Sequence, residues 1–278
     1  KAAYYGLYNY QGQCTKIENN YVRGGMYGLY LYYENNAPIA IDSSTVINNM
    51  LSNGGSSYAY GNGCIIGYSA KVHVYHNTMQ CDSSYTTIST YGAIRIGFST
   101  GAIKVKNNIF RSFGNNLPCF STDGLGINVG DLDYNIYYSY VATNPIAYWG
   151  TTAYTTLAAW KAAYPNFNKN SQQFEPLLVS KFNQHLKNTA PFYKGLFLGI
   201  AVDKDNDPRC IPLPTIGADE YVHPYDTPQA DFLVDSMVCM NSPYTFLNKA
   251  GLTEPKMHAW YVNGVLKITS VQSTYNDK

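Results

Sequence analysis

The sequence predicts an all-β protein: a right-handed parallel β-helix of stacked rungs, closed by a capping region that contains one short helix. Three observations lead to this fold class. A short phrase containing asparagine recurs along the first half of the chain, a phrase of alternating apolar residues precedes it, and one later segment has helical spacing. A recurring step of 27 to 31 residues without helical patterning is typical of a solenoid of strands.

The asparagine phrase has an apolar pair, a polar stretch that ends in asparagine, and a second apolar pair. Its successive steps are 29, 28, 31 and 27 residues. Asparagine tolerates the left-handed backbone of a sharp corner, and its amide both donates and accepts hydrogen bonds, so that copies on successive rungs can bond to one another. We expect a structural ladder, in preference to a row of ligand-binding amides, from Asn20, Asn49, Asn77, Asn108 and Asn135.

The second phrase alternates between inward and outward residues. It reads Ile39-Ala40-Ile41, then Cys64-Ile65-Ile66, then Ile94-Arg95-Ile96, and we expect the outer two residues of each triplet to face the core. Gly67 and Gly97 follow at matching turn positions. Because the phrases repeat in one direction, the strands of successive rungs are expected to pair in parallel. Cys64 is then a buried small hydrophobe.

A helix is predicted at 155–164, where the sequence TTLAAWKAAY has helix-forming residues and apolar spacing near 3.6. Pro165 ends it, since proline lacks the backbone N–H that would continue the helix. A helix at this point would cover the last rung, whose unpaired strand edges would otherwise be open to other chains.

A fixed order of motifs surrounds and follows this helix: LDYNIYY at 132–138, LAAW at 157–160, FEPLL at 174–178, DKDNDPR at 203–209 and PTIGADEY at 214–221. This order resembles the carboxyl end of bacterial secreted β-helix surface proteins, many of which belong to gliding bacteria and use the type IX secretion route. Asn206 stands where glycine is common in that family. The resemblance implies an extracellular protein at the bacterial cell surface. It implies as partners further domains of one long chain and secretion or surface-anchoring machinery.

Beyond residue 228, apolar residues at strand-like spacing are similar to the first strands of PKD-type immunoglobulin-like domains; the stretches are 231–234, 243–246 and 259–264. A complete sandwich of this kind needs about 100 residues. We therefore expect a partial immunoglobulin-like β-sandwich in this tail, whose core would need further strands. The expected domains are rungs at 1–140, the cap and carboxyl end of the β-helix at 141–228, and the incomplete module at 229–278.

Composition disfavours several classes of partner. Charged residues make up 13% of the chain and the net charge is +1, so there is no clustered positive charge for nucleic acid. The longest apolar stretch, 195–202, is too short to insert across a membrane. The 28 tyrosines and the many asparagines and glycines favour stacked strands and tight turns with a polar, weakly charged surface.

Catalysis by a β-helix enzyme would require particular carboxylates. A lyase of this fold needs acids for calcium beside a Lys or Arg base, and a hydrolase needs two carboxylates at a set separation. Asp131 and Asp133 lie on one strand face, but they belong to a motif that looks structural. His76 is expected to be solvated, and three cations are expected to have no acid in register: Arg95, Lys104 and Lys106. We assign no catalytic residue and predict a non-enzymatic protein, with a polysaccharide lyase or glycosidase as the alternative.

One stretch raises the possibility of a metal. Asp203, Asp205 and Asp207 alternate as the oxygen ligands of calcium loops do, although the glycine and the distal glutamate of an EF-hand are missing. The favoured interpretation is a turn whose carboxylates bind Arg209 and backbone amides. No cofactor is therefore expected, and a structural calcium ion is the alternative.

The tyrosines supply the candidate binding residues. Tyr8, Tyr10, Tyr30 and Tyr32 alternate with leucine and should form an outward aromatic strip. Such rings either bind sugars and protein partners or only cover the solenoid by stacking between rungs. The leading hypothesis is a segment of a large adhesin or stalk protein that binds polysaccharide or another surface through the β-helix exterior. A purely structural spacer is the second alternative.

Overall fold

A computed structural model describes residues 4–35, 42–53, 61–82, 91–98, 102–123, 129–187, 190 and 193–220, together with the backbone of five strands between 232 and 277. The chain divides into two compact units, Lys1–Tyr221 and Val222–Lys278. The first unit is a parallel β-solenoid with one short helix, which confirms the predicted fold class.

Three sheets form the sides of the solenoid. Sheet A contains β1 (Tyr5–Tyr10), β4 (Tyr27–Tyr32), β7 (Asn62–Gly67), β10 (Ile94–Gly97), β13 (Phe120–Thr122), β16 (Ala147–Trp149) and β17 (Thr152–Tyr154). Sheet B contains β2 (Lys16–Glu18), β5 (Ser44–Ile47), β8 (Val72–Tyr75), β11 (Ile103–Lys106) and β14 (Val129–Asp133). Sheet C contains β3 (Tyr21–Arg23), β6 (Met50–Ser52), β9 (Thr78–Cys81), β12 (Ile109–Ser112), β15 (Ile136–Ser139) and β18 (Gln172–Gln173). All neighbours in these sheets pair in parallel except β16 and β17.

The core is a set of stacked rows, because in-register pairing places equivalent side chains above one another. The side chains along each row differ in size from rung to rung. In sheet A one inward row runs Leu29, Cys64, Ile94, Phe120 and Ala147, all fully buried. In sheet C another runs Val22, Leu51, Met79, Phe110 and Tyr137. Cys64 is buried among these residues, as predicted.

One predicted register is wrong. The strand beside Cys64-Ile65-Ile66 is Leu29-Tyr30-Leu31, not Ile39-Ala40-Ile41. Residues 36–41 lie outside the described part of the chain. Tyr32, rather than a residue near 42, pairs with Gly67, while the match of Gly67 with Gly97 is confirmed. The error arose because two nearby segments, 29–31 and 39–41, share the apolar alternation and the rungs differ in length.

Glycines bring sheets A and C close together. A Cβ on Gly28 would lie 2.6 Å from the carbonyl oxygen of Gly63 and 2.9 Å from that of Ser52. A Cβ on Gly63 would lie 2.8 Å from the carbonyl oxygen of Gln80. All three distances are shorter than a side chain tolerates, so only glycine allows this backbone approach.

The asparagine ladder forms at the corner between sheets B and C. The side-chain amide of Asn49 donates to Oδ1 of Asn77 at 3.0 Å, and the Asn77 and Asn108 amides repeat this bond to the next rung at the same distance. Each Oδ1 also accepts the backbone N–H of the preceding asparagine, as at Asn49 (2.9 Å). The ladder ends at Ser171, whose hydroxyl accepts the backbone N–H of Asn135. These buried amides therefore satisfy one another through the rod.

The prediction that the ladder asparagines adopt the left-handed backbone of the corner is wrong. The left-handed residue is not the ladder asparagine but the residue before it, with φ between 52° and 59°. We call these five residues the strap column: Asn19, Asn48, His76, Asn107 and Tyr134. The ladder asparagines are thus needed for their amides, and the strap column makes the turn.

The capping helix α1 spans Leu157–Ala163, close to its predicted bounds. Thr156 caps it by accepting the backbone N–H of Ala159. Trp160 is fully buried, and its ring centroid lies 5.4 Å from those of Phe120 and Tyr137. The helix therefore closes the carboxyl end of the core with one large aromatic side chain.

The second unit is described by its backbone alone. Strands β19 (Phe232–Leu233), β20 (Tyr244–Asn248) and β23 (Thr274–Asp277) form an antiparallel sheet, and β21 (His258–Val262) pairs antiparallel with β22 (Val265–Ser270). Strands thus occur in the three stretches that suggested a sandwich. The immunoglobulin-like identity of this unit stays a prediction, and Val238 and Cys239 lie outside the described residues.

Candidate functional site

The outer surface of sheet A carries a continuous group of aromatic rings. The predicted strip is part of it, because Tyr8 pairs with Tyr30 and Tyr10 pairs with Tyr32 on adjacent strands. Six further rings, which sequence reasoning missed, extend it on both sides. We call the whole group the tyrosine face: Tyr4, Tyr5, Tyr8, Tyr10, Tyr27, Tyr30, Tyr32, Tyr33, Tyr68 and Phe98.

The rings of the tyrosine face differ in how far they are covered. Tyr27 is buried together with Ile65, which points outward as predicted but lies beneath the rings. Tyr30 and Tyr32 are half-buried. Four rings remain about half exposed: Tyr4 (53%), Tyr8 (52%), Tyr10 (49%) and Phe98 (47%). The inner rings therefore form a packed base, and the outer rings present apolar surface to solvent.

Part of the tyrosine face stands on left-handed backbone. The residues that directly follow β1, β4, β7 and β10 have φ between 47° and 59°, and we call them the ring column: Gln11, Tyr33, Tyr68 and Phe98. The Tyr33 and Tyr68 rings stack with centroids 5.1 Å apart, and Tyr68 and Phe98 stack at 5.0 Å. Bulky residues rarely adopt this conformation. A usable signal existed in the sequence, since Tyr68 and Phe98 directly follow the matched glycines.

Two glycines let side chains lie flat on sheet A. A Cβ on Gly67 would come within 2.6 Å of the Tyr32 ring, so this ring lies across Gly67. One rung further, a Cβ on Gly97 would come within 2.5 Å of the Asp123 carboxylate. Asp123 pairs with Arg95 at 2.9 Å. The aromatic surface therefore borders on one ion pair.

Burial keeps the inner phenol groups of the tyrosine face protonated. Together with smaller contributions from neighbouring tyrosines, it raises the pKa of Tyr32 to about 12. Burial also raises the pKa values of Tyr30 and Tyr27 above the usual value for tyrosine. Neutral phenols both donate and accept hydrogen bonds. These inner rings thus offer ring carbons and hydroxyl groups without a negative charge.

The carboxylates considered for catalysis have structural partners. Asp131 pairs with Lys106 at 2.6 Å. The Asp133 carboxylate accepts hydrogen bonds from the backbone of Tyr134 and from the backbone and side chain of Asn170. The expectation that the rung cations lack acids in register is wrong, because Lys106 and Arg95 both form ion pairs and Lys104 pairs in register with Asp131. Acids on the next rung cannot be matched to cations from the sequence before the register is known.

The opposite corner of the solenoid is closed by a segment that we call the strap, residues 193–220. Strap-column side chains bind its backbone directly. The side-chain amide of Asn107 donates to the carbonyl of Leu196 (2.6 Å), and its Oδ1 accepts the Leu196 N–H (3.0 Å). The side chain of Asn48 donates to the carbonyl of Val202 at 2.8 Å. The polar side chains of these turn residues thus attach the strap to the solenoid as a second layer.

His76 belongs to this attachment and is not solvated, which corrects the prediction. It is fully buried, with Nδ1 3.1 Å from the carbonyl oxygen of Thr215 and Nε2 2.8 Å from the side-chain nitrogen of Asn107. This pattern fits a neutral ring that donates from Nδ1 and accepts at Nε2. Burial, with a smaller contribution from Arg209, lowers the pKa of His76 well below its usual value.

The aspartate run folds as the favoured interpretation described, with one difference. Buried Asp203 accepts the backbone N–H groups of Asp205 and Asp207 through Oδ1 and that of Glu220 through Oδ2. Arg209 bonds to none of these aspartates. It forms a buried ion pair with Glu220 at 2.9 Å and also donates to Oδ1 of Asn48 at 2.8 Å.

Arg209, Glu220 and Asn48 together hold the strap to the solenoid, and we call this group the lock. Burial lowers the pKa of Arg209, and Glu220 and Asp203 oppose that effect. Asn206, where the resembling family has glycine, has a φ of 70°, a conformation that favours glycine and tolerates asparagine. The three aspartates do not converge on one point, since Asp203 is consumed by backbone amides while Asp205 contacts His185 and Lys204.

Comparisons with known protein families, with curated proteins and with solved structures found no match to this chain. Among the described residues, none of the helical segments is long and apolar enough to cross a membrane.

Proposed function

We propose that this protein is a non-enzymatic surface adhesin or stalk protein that binds neutral polysaccharides through the tyrosine face. The observation that carries the proposal is the set of half-exposed rings on sheet A, built on a buried aromatic base. Sugar rings stack on aromatic side chains through their apolar faces, and phenol hydroxyls hydrogen-bond sugar hydroxyls.

The charge of the surface supports a neutral ligand. Arg95 and Asp123, which border the rings at Gly97, neutralise each other in an ion pair. An acidic polysaccharide would gain little from such a surface, since its recognition relies on unpaired Arg or Lys. The rings succeed one another along the stacking direction of the rungs, and the Tyr32 ring lies flat across Gly67. Such a row of rings favours an extended polymer over a compact ligand.

The extracellular location belongs to the same proposal. It rests on the motif order from 132 to 221 and on a composition with 13% charged residues and 28 tyrosines. Export by the type IX route and a PKD-type module in 229–278 are proposed on the resemblance alone. Protease treatment of intact cells of the native organism should cleave the protein while cytoplasmic proteins stay intact.

Affinity gel electrophoresis tests the binding proposal with hydroxyethyl cellulose, glucomannan and xylan, and with alginate as the acidic comparison. We expect at least one neutral polymer to slow the protein. Changing Tyr8 and Tyr10 together to alanine should weaken that binding roughly thirtyfold, since each of the two ring contacts is worth about 1 kcal/mol. Tyr140→Ala is the matched control, because Tyr140 is 67% exposed and lies outside the tyrosine face.

Three outcomes would overturn the proposal. They are no retardation by any neutral polymer, retardation by alginate alone, or equal retardation of the Tyr8/Tyr10 variant and the wild type. Unsaturated products or new reducing ends after incubation with these polymers, lost in Asp131→Ala or Asp133→Ala, would instead support the lyase or glycosidase alternative.

A further inference from the structure

A histidine and two aspartates meet at the edge of the strap, away from the tyrosine face. His185 comes from the turn that precedes the strap, and Asp205 and Asp219 come from the strap itself. One ligand atom of each residue lies within 4.8 Å of the other two. Nε2 of His185 is 2.9 Å from Oδ2 of Asp205. The Asp219 carboxylate is fixed by the backbone N–H of Leu186, which donates to it at 2.7 Å.

Both ring nitrogens of His185 face oxygen acceptors. Nδ1 lies 2.5 Å from Oδ1 of Asn183, and Nε2 faces the Asp205 carboxylate. The same Asn183 oxygen accepts the backbone N–H of His185 at 3.1 Å, which fixes the orientation of the amide. One ring N–H serves Asn183, and the Asp205 oxygen at Nε2 is then matched either by a second ring proton or by a cation bound at Nε2.

The arrangement at Nδ1 is the one that metal-binding histidines use. Such a histidine generally donates its second ring N–H to a carbonyl or carboxylate oxygen, which fixes the tautomer and directs the other nitrogen at the metal. Asn183 supplies that oxygen here. Asp205 and Asp219 supply carboxylate oxygens on the side of Nε2.

We propose that His185, Asp205 and Asp219 form a binding site for a divalent transition metal of the zinc class. One imidazole and two carboxylates suit zinc, whereas calcium prefers oxygen ligands only. Ligand bonds of about 2.0–2.2 Å require donor atoms roughly 3.3 Å apart, so small side-chain rotations suffice to close the site. The metal would clip the turn at 183–187 to the strap, and a water molecule would complete the coordination.

Lys204 gives the proposal a distinctive consequence. Its ammonium contacts the other oxygen of Asp205, Oδ1, at 3.1 Å and leaves Oδ2 toward His185. A positive charge this close repels a divalent cation. Removing the charge should therefore tighten metal binding, an effect that a purely structural ion pair would not produce.

Isothermal titration with zinc tests the site in the full chain after treatment with EDTA. Cys14 and Cys210 have exposed thiols and Cys239 is a further cysteine, so all three are first changed to serine. We expect one zinc ion per chain, a higher Tm with zinc, and little heat from calcium. His185→Ala and Asp219→Asn should lose saturable binding, whereas His73→Ala, on sheet B, should keep it.

Cobalt gives a spectroscopic check, because nitrogen and oxygen ligands produce visible absorption bands without a thiolate charge-transfer band. Lys204→Gln should bind zinc more tightly than the parent protein. The proposal is wrong if the parent protein takes up no zinc, if His185→Ala binds zinc as the parent does, or if Lys204→Gln weakens binding. His185 is partly exposed, so its alanine variant is expected to fold, and far-UV circular dichroism checks this.

Discussion

Two corners of the same solenoid share one backbone feature, a left-handed residue after successive strands, but they carry different side chains. At both, the residue after a strand adopts the left-handed conformation, in the strap column on one side and in the ring column on the other. In the strap column, the amides of Asn48 and Asn107 and the imidazole of His76 bind backbone carbonyl groups of the strap. The ring column presents Tyr33, Tyr68 and Phe98, which stack on one another beside rings that are about half exposed.

The difference shows that side-chain chemistry determines whether a repeated turn is covered by another segment of the chain or stays at the surface. Asparagine at a left-handed position leaves donors and acceptors that need partners, and a second layer of chain satisfies them. Aromatic rings at the same backbone position satisfy much of their surface by stacking between rungs. The polar groups of the strap column are therefore used in contacts within the protein, whereas the rings beside the ring column keep exposed surface.

The largest expected effect is at the lock of the strap. Arg209→Met leaves the Glu220 carboxylate buried without its cation, and we expect a loss of about 3–5 kcal/mol in the free energy of unfolding. Urea denaturation followed by far-UV circular dichroism measures it. Arg95→Met is the matched control, because its pair with Asp123 is more exposed and should cost at most about 1 kcal/mol. Equal losses in the two variants would contradict a special role for the lock.

A smaller loss is expected within the ladder. Asn108→Ala removes the oxygen that accepts from the backbone and side chain of Asn77, and it leaves those buried donors unpaired. The expected loss is about 1–3 kcal/mol. Asn20→Ala at the open end of the ladder should cost less, since Asn20 is only partly buried and, within the described part of the chain, accepts from no other ladder amide. The ladder account fails if Asn20→Ala is as harmful as Asn108→Ala.

The smallest stability effect is a pH dependence at His76. Its pKa in the folded state lies below the unfolded value of 6.5, so the unfolded chain binds a proton that the folded chain refuses. The histidine thus contributes no penalty above pH 6.5, and the folded state loses stability as the pH falls through this value. At one unit below it, the penalty is about 1.4 kcal/mol.

His76→Asn isolates this contribution, because asparagine occupies the equivalent positions on the rungs before and after it, 48 and 107. Unfolding free energies at pH 7.5 and 5.5 should differ less in the variant than in the wild type, by about that amount. All other titrating groups are common to both proteins. An identical pH dependence would show that His76 is not held neutral in the folded state.

The sequence predicted what repeats and missed what does not. The ladder, the inward rows and the capping helix were found because each leaves a periodic signal. The partners of His76 could not be found, since Thr215 is 139 residues away and occurs once. The mistaken register of Ile39-Ala40-Ile41 had a related cause, because rungs of unequal length break the link between spacing and pairing. Of the tyrosine face, four rings were predicted by alternation. Three others, Tyr33, Tyr68 and Phe98, occupy left-handed positions after strands, and Tyr4, Tyr5 and Tyr27 join the face through ring contacts that require the register.

Hydroxyl-radical footprinting tests the contrast between the two corners most directly. The protein is labelled with and without hydroxyethyl cellulose, or with the neutral polymer that retards it most, and the oxidation of each aromatic residue is measured by mass spectrometry. We predict protection of Tyr4, Tyr8, Tyr10 and Phe98, with no change at Tyr140 or at Phe197 of the strap, which is partly exposed. Protection of Phe197 or Tyr140 with unchanged oxidation of the tyrosine face would contradict the assignment of sheet A as the binding surface.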